Sequence, residues 1–521
     1  MLSSLALSGP VLLLALLIPL YLYFLTPSPL HYSTILTSTQ QTNLEEIATL
    51  LTQIYTTLAE MRYLDPASIQ HGPHDLSPLL PLYKQHNLDP SLIHLYSILP
   101  YIGPPSSGVT DFFHGSDFID FRDAEQVEES RDPYYADPDG DDFDAEHGPY
   151  MRPWVTPLSQ LGNHGSVILY DARAHRIWIV DQERWDSTDP GISEEVRNAA
   201  KRGAGAVSNQ NDFEYIASRP AGDVLRDINK RYRDLTELPG GGGNTGLDWS
   251  DRKLNLRELY QRSGWPDNFD GDAFEVDKAR RYGSIRAKER AYEPLTDVER
   301  FHDMRASLVE QIRGFRATIA NPKSLDEEWI ARFELWRAEW FQKDFLVDGE
   351  RTEEIAKVRC PEGVCVQEDE LVLWEAEILR QDIKSNEWLI INYKKWADES
   401  RESNSERAAK FDIGVRVREK EVVVLKSAYE AALADAQKTC PGKIFESASG
   451  KDSLDPEDIP MGIRKIKEAM PRAELEIQEV EKWRTRIPEE CVEAKEKVEL
   501  QLHWLTAELD RQRGLLKTYG L

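Results

Sequence analysis

Apolar and polar positions follow several different periods along this chain, and each period predicts a different element. The first pattern is continuous. Leu5 to Leu25 is almost wholly apolar, and no Asp, Glu, Lys or Arg occurs before Glu45. A membrane-crossing helix needs roughly 20 such residues. A cleaved signal peptide would carry a basic start and small residues before the cut. Met1 to Pro10 has no Lys or Arg, and the run ends in the bulky Tyr21-Leu22-Tyr23-Phe24-Leu25, a composition suited to the lipid–water interface. Residues 1–26 therefore read as an uncleaved signal-anchor, a single-pass transmembrane helix, with an uncharged linker over 27–42.

From Asn43 the period changes to three and four. Leu44, Ile47, Leu51, Ile54, Leu58 and Met61 form one apolar helical face. Leu64-Asp65-Pro66 and Leu88-Asp89-Pro90 each place an Asp cap before a Pro at the first helical position, and the second predicts a helix over Ser91 to Leu99. Two β-branched and aromatic runs, Ser166 to Asp171 and Arg176 to Asp181, flank Ala172-Arg173-Ala174-His175 and predict an antiparallel hairpin. Helices and hairpin together predict an α+β domain over residues 43–190, with an acidic loop over 111–147.

Residues 191–320 read as a helical region, with helices over Ala221 to Leu238 and Leu254 to Arg262 and a glycine-rich linker over 239–247. Residues 321–521 read as long helices. Trp329, Phe333, Trp336 and Trp340 fall at helical steps and predict a packing seam. Glu368 to Gln437 is helix-prone and weakened around Ser400 to Ser405. A heptad-like row then runs through Ile466, Met470, Ala473, Ile477, Val480, Ile487, Cys491, Ala494, Val498, Leu502, Leu505 and Leu509, broken only at Arg484, and Pro471 and Pro488 are expected to start new turns or kink the helix. The row predicts coiled-coil-like packing, either as a hairpin folded back on Glu368 to Gln437 or between chains. The expected fold class is an α+β N-terminal domain followed by a mainly α-helical, coiled-coil-like C-terminal region, on a single N-terminal transmembrane helix.

Composition narrows the partners. At 521 residues the chain exceeds one core. A net charge of −28 argues against nucleic acid, whose binding rests on cationic neutralisation of phosphate. Asp111 to Glu146 holds fourteen acidic residues against Arg122 and Arg131. Within it, Asp137 to Asp144 has the composition of a calcium loop, but Gly140 and Gly148 stand where an EF-hand does not allow them. A solvated acidic loop is expected. Lys278 to Arg290 carries six bases in thirteen residues and reads as a surface patch that pairs with acidic segments.

Little in the chain announces chemistry. It has no G-x-S-x-G elbow, no H-E-x-x-H and no Walker lysine beside Gly240 to Gly243, so no catalytic residue, cofactor or metal is assigned. His164, His175, Asp181 and Asp186, with Asp189, could line a polar site at the hairpin ends. They serve equally well as turn and edge residues. Cys360 and Cys365 bracket a Pro-Glu-Gly-Val turn and permit a disulfide in an oxidising lumen, with four reduced thiols, including Cys440 and Cys491, as the alternative. The first basic side chain is Arg62, too far from the anchor to orient it, and no Asn-x-Ser/Thr site marks a luminal face.

The helices, the acidic stretch Asp117-Phe118-Ile119-Asp120-Phe121 and the hairpin from Ser166 to Asp181 together resemble the Smi1/Knr4-like (SUKH) family over residues 43–190. That resemblance implies a protein-interaction role. The expectation is a single-pass membrane protein, most consistent with the endomembrane system. It would act as an interaction or tethering module, bound to the membrane through its N-terminal helix and to a protein partner or itself through the C-terminal helices. The alternative is a membrane-bound enzyme with its site near residues 164–189.

Overall fold

The computed structural model describes residues 36–103, 111–131, 151–160, 165–181, 186–203, 216–240, 254–441 and 461–518. The chain divides into two compact units, Met1–Arg281 with Leu389–Val424, and Tyr282–Trp388 with Leu425–Leu521. Small antiparallel sheets lie in the first, and helices make up the second. Among the described residues no helix is long and apolar enough to cross a membrane, and the expected anchor at Leu5 to Leu25 lies outside them.

In the first unit, helix α1 (Ser38–Glu60) begins earlier than its apolar period indicates and takes in the end of the expected linker. The reason is a capping box: Thr37 Oγ1 accepts from the Gln40 amide at 3.3 Å, and Gln40 Oε1 accepts from the Thr37 amide at 3.0 Å. Leu44, Ile47, Leu51, Ile54 and Leu58 are buried, as the period predicts. The two Asp-Pro starts differ. Asp65 caps only one 3₁₀ turn, Pro66–Ser68, before β1 (Ile69–Gln70). After α2 (Leu80–Gln85), Asp89 caps α3 (Pro90–Ile98), and β2 (Tyr101–Ile102) pairs back on β1.

The first part of the expected acidic loop is built structure: β3 (Asp111–Phe113), β4 (Ser116–Asp117) and α4 (Ala124–Glu129). Phe112, Phe113, Ile119, Phe121 and Val127 interleave with the acids and are buried, which overrides the charge of the segment. Asp137 to Asp144 lies outside the described residues.

The main sheet runs β5-β6-β7-β8, all antiparallel, from β5 (Val155–Pro157), β6 (Ser166–Asp171), β7 (Arg176–Asp181) and, after α5 (Glu194–Gly203), β8 (Arg219–Pro220). The hairpin has the expected strands, with Ser166 opposite Asp181 and Asp171 opposite Arg176. Every residue of β6 is buried. Ile168, Tyr170, Ile177 and Ile179 face a core shared with α1 and α3, while Val167, Leu169, Trp178 and Val180 pack on Met151, Val155 and Ile216. The fold therefore does not end at residue 190. Helix α6 (Ala221–Arg233) buries Val224, Leu225, Ile228 and Tyr232 in the first core, and α7 (Leu256–Arg262), Trp265 and Phe274 extend it.

Helix α8 (Gly271–Ala320) is one continuous helix with Pro294 inside it, within the region expected to be helical. In the second unit its Arg286 holds both oxygens of Asp382 at 2.7 and 2.6 Å, the acidic pairing expected of that patch. Phe301 of α8 lies where a Cβ on Gly349 would stand, so α9 (Leu325–Arg359) approaches α8 closely at that glycine. Glu368 to Gln437 forms two helices, α10 (Leu371–Ser400) and α11 (Ser405–Thr439), separated at the weak point near Ser400 to Ser405.

The heptad row is not one helix. It breaks at Pro488, whose carbonyl accepts from the Cys491 amide at 3.1 Å, into α12 (Met461–Arg486) and α13 (Val492–Thr518). Val480 and Ile487 from the first half meet Cys491, Ala494, Val498 and Leu505 from the second, around Phe333 of α9. The partner of the row is thus its own second half and the tryptophan seam, not Glu368 to Gln437. Asp326 of α9 accepts the Ala494 amide at 3.0 Å and so caps α13 from another helix. Arg484, the one break in the row, reaches Glu499 at 2.8 Å.

Phe333→Ala is expected to destabilise the second unit by about 3–5 kcal/mol, because Phe333 is buried among Trp336, Trp483 and Val480. Urea unfolding followed by tryptophan fluorescence would show an early second-unit transition, and an unchanged profile would contradict this packing.

Candidate functional site

The hairpin turn is built by Asp171, whose Oδ1 accepts from the amides of Arg173 at 2.7 Å and Ala174 at 2.8 Å. His175 closes the turn in the left-handed region, with φ of 52°. Its ring bridges two elements, with Nε2 at 2.9 Å from Glu46 Oε2 on α1 and Nδ1 at 3.1 Å from the Tyr170 hydroxyl on β6. Arg226 of α6 donates to Glu46 Oε1 at 2.7 Å. That hydrogen bond, with lesser contributions from His175, holds the Glu46 carboxyl below the ordinary glutamate range against a burial penalty.

Carboxylate, imidazole and hydroxyl in this order have the outline of an activated nucleophile. The third member defeats that use. Tyr170 is fully buried, and burial pushes its hydroxyl well above the usual tyrosine range. The array braces the turn against α1 and α6.

Asp181 and Asp186 lie at the other end of the hairpin. The Asp181 amide donates to the Asp186 carbonyl at 2.9 Å, and Asp186 Oδ1 accepts from the Ser187 amide at 2.8 Å. A six-residue strand separates them from His175, roughly 20 Å at about 3.3 Å per residue. His164 lies outside the described residues. The expected polar site is therefore not assembled by His175, Asp181 and Asp186, because a strand carries its two ends apart.

Asp189, grouped with them from sequence, has a separate partner. It is fully buried, and Arg219 of β8 holds it through Nε to Oδ2 at 2.8 Å and Nη2 to Oδ1 at 2.7 Å. The guanidinium lies over Gly191, where a Cβ would come within 2.2 Å of its carbon. Arg219 also reaches Asp227 of α6 at 3.1 Å. No local signal joins positions thirty residues apart, so sequence reasoning missed this pair.

Cys360 and Cys365 form a disulfide across the turn after α9. Cys440 and Cys491 are free and buried, and the Cys440 thiol donates to the Asp369 carbonyl at 3.1 Å. Among the described residues no group of three His, Cys, Asp or Glu side chains gathers as a metal site would require. Comparison with protein-family models found no match, and neither did comparisons with curated proteins and with solved structures.

Arg219→Leu strands the buried Asp189 carboxylate and is expected to cost about 3–5 kcal/mol in the first unit. The double variant Asp189→Leu/Arg219→Leu should recover much of that loss, and a double-mutant cycle by urea unfolding without recovery would contradict the pairing. A second expectation concerns pH. Because the folded Glu46 has a lowered pKa, its contribution is present above the ordinary glutamate range and is lost as pH falls through its lowered value. The stability of an Arg226→Met variant, followed by thermal unfolding, should fall less steeply across that acid window than that of the parent.

Proposed function

We propose that this chain is a single-pass, membrane-anchored protein of the endomembrane system that acts by protein interaction or tethering. The observation that carries this reading is the outer face of α13. There Leu500 and Trp504, one turn apart, are 70% and 59% exposed, and Leu500 lines a shallow groove with Val492, Lys495 and His503. Exposed apolar side chains gathered on one face mark association sites, and tryptophan is enriched where binding energy concentrates. Self-association or a protein partner through these C-terminal helices fits that face. The resemblance of residues 43–190 to the SUKH family supports a further protein-binding role in the first unit. Leu5 to Leu25 supports attachment to a membrane. The Cys360–Cys365 disulfide favours a body on the oxidising, luminal side. Among the described residues the hairpin sets His175 and Asp181 at opposite ends of a strand, which gives the enzymatic alternative less support.

Sedimentation of the full chain in detergent should show a complex that Leu500→Glu with Trp504→Glu weakens more than about tenfold. A strict monomer with no bound partner would overturn the interaction reading. For orientation, a C-terminal tag in sealed vesicles should resist protease, and alkylation of the denatured chain should label two cysteines before reduction and four after it. A cleaved tag with four thiols labelled at once would place the body on the reducing side.

A further inference from the structure

Helix α13 has two faces. Cys491, Ala494, Val498 and Leu505 are buried around Phe333 and Val480. On the opposite face Val492, Glu496, Leu500, His503 and Ala507 are all exposed and recur at steps of four and three, with exposed Trp504 beside them. That spacing is the seam of a helix pair.

Charges on this outer seam differ from those next to it. Lys495, Lys497 and Glu499 are paired within the chain, with Glu489, Glu334 and Arg484 at 2.8, 2.9 and 2.8 Å. Glu496 and His503 have no such pair among the described residues. At about 100° per residue, Glu496 and His503 stand to one side of the seam, and Leu500 and Trp504 to the other.

That division selects a partner and an orientation. A two-fold axis between antiparallel helices keeps each side of the seam against its own kind, whereas one between parallel helices crosses the sides. With the axis near Leu500, an antiparallel copy brings Glu496 level with the partner's His503, whose imidazole donates to the carboxylate, and symmetry repeats the contact. Leu500 and Trp504 of both copies then close over the other side. A parallel copy would press Glu496 against apolar side chains, which leaves a desolvated carboxylate without a counter-charge. We propose that α13 pairs antiparallel with α13 of a second copy of this chain, Glu496 of each facing the partner's His503. This pairing names the occupant of the association face and rests on that face being one.

Sedimentation of the full chain in detergent tests the pairing by charge reversal at two exposed positions. Glu496→Lys sets an ammonium against the imidazole, and His503→Glu sets two carboxylates together. Each should weaken the complex about five- to tenfold, because symmetry doubles every clash. The double variant Glu496→Lys/His503→Glu again opposes unlike charges and should recover at least the parent affinity. A different protein on this face would gain nothing from exchanging two charges on one chain. Suppose Leu500→Glu with Trp504→Glu breaks the complex, but single reversals leave it unchanged or the double variant fails to rescue it. That result would overturn the antiparallel second copy and leave the association face standing. A strict monomer with no bound partner would overturn both.

Discussion

Strand β6 has no solvent face, and the first unit is arranged around that constraint. A strand buried on both sides needs apolar cover above and below, and no neighbour in sequence can supply both. One cover comes from α1, α3 and α6, and the other from Met151, Val155 and Ile216. The segments that close the sheet are therefore drawn from residues 44 to 232, and the short outer strands β5 and β8 carry Pro157 and Pro220 where pairing stops. Proline at an edge removes a donor that would otherwise invite further strands.

Irregular backbone around that sheet is held by buried aromatic side chains with polar ends. The hydroxyls of Tyr83, Tyr101, Tyr232 and Tyr260 donate to the carbonyls of Phe121, Tyr96, Phe112 and Met61 at 2.5 to 2.9 Å. Each ring fills core volume while its hydroxyl satisfies a backbone carbonyl. The same economy explains why His175, Glu46 and Arg226 form a brace. Their polar atoms are spent on joining a turn to two helices, which leaves little for a substrate.

The second unit solves a different problem. Its helices are long, and a long helix must hide a stripe along its whole length. Phe333, Trp336 and Trp483 provide the bulk, and the halves of the heptad row close on them. Leu500 and Trp504 remain outside this arrangement, which is why the proposed association face sits on α13.

Local sequence was sufficient wherever a signal and its consequence lay within a few residues. The apolar period of α1, the Asp89 cap, the hairpin from Ser166 to Asp181 and the break near Ser400 were legible for that reason, whereas the Cys360–Cys365 spacing allowed a bridge without choosing it over reduced thiols. What depended on distant partners was not. Pro488 marked a break in advance, but a row of heptad positions is equally satisfied by any apolar stripe, so only packing could show that the two halves fold on each other there. Polar residues near one hairpin look like a cluster in sequence, but strand geometry sends His175 and Asp181 to opposite ends. Tertiary structure alone decided which charges meet: Asp189 found Arg219, because ion pairs form by proximity in space, which spacing along the chain does not encode.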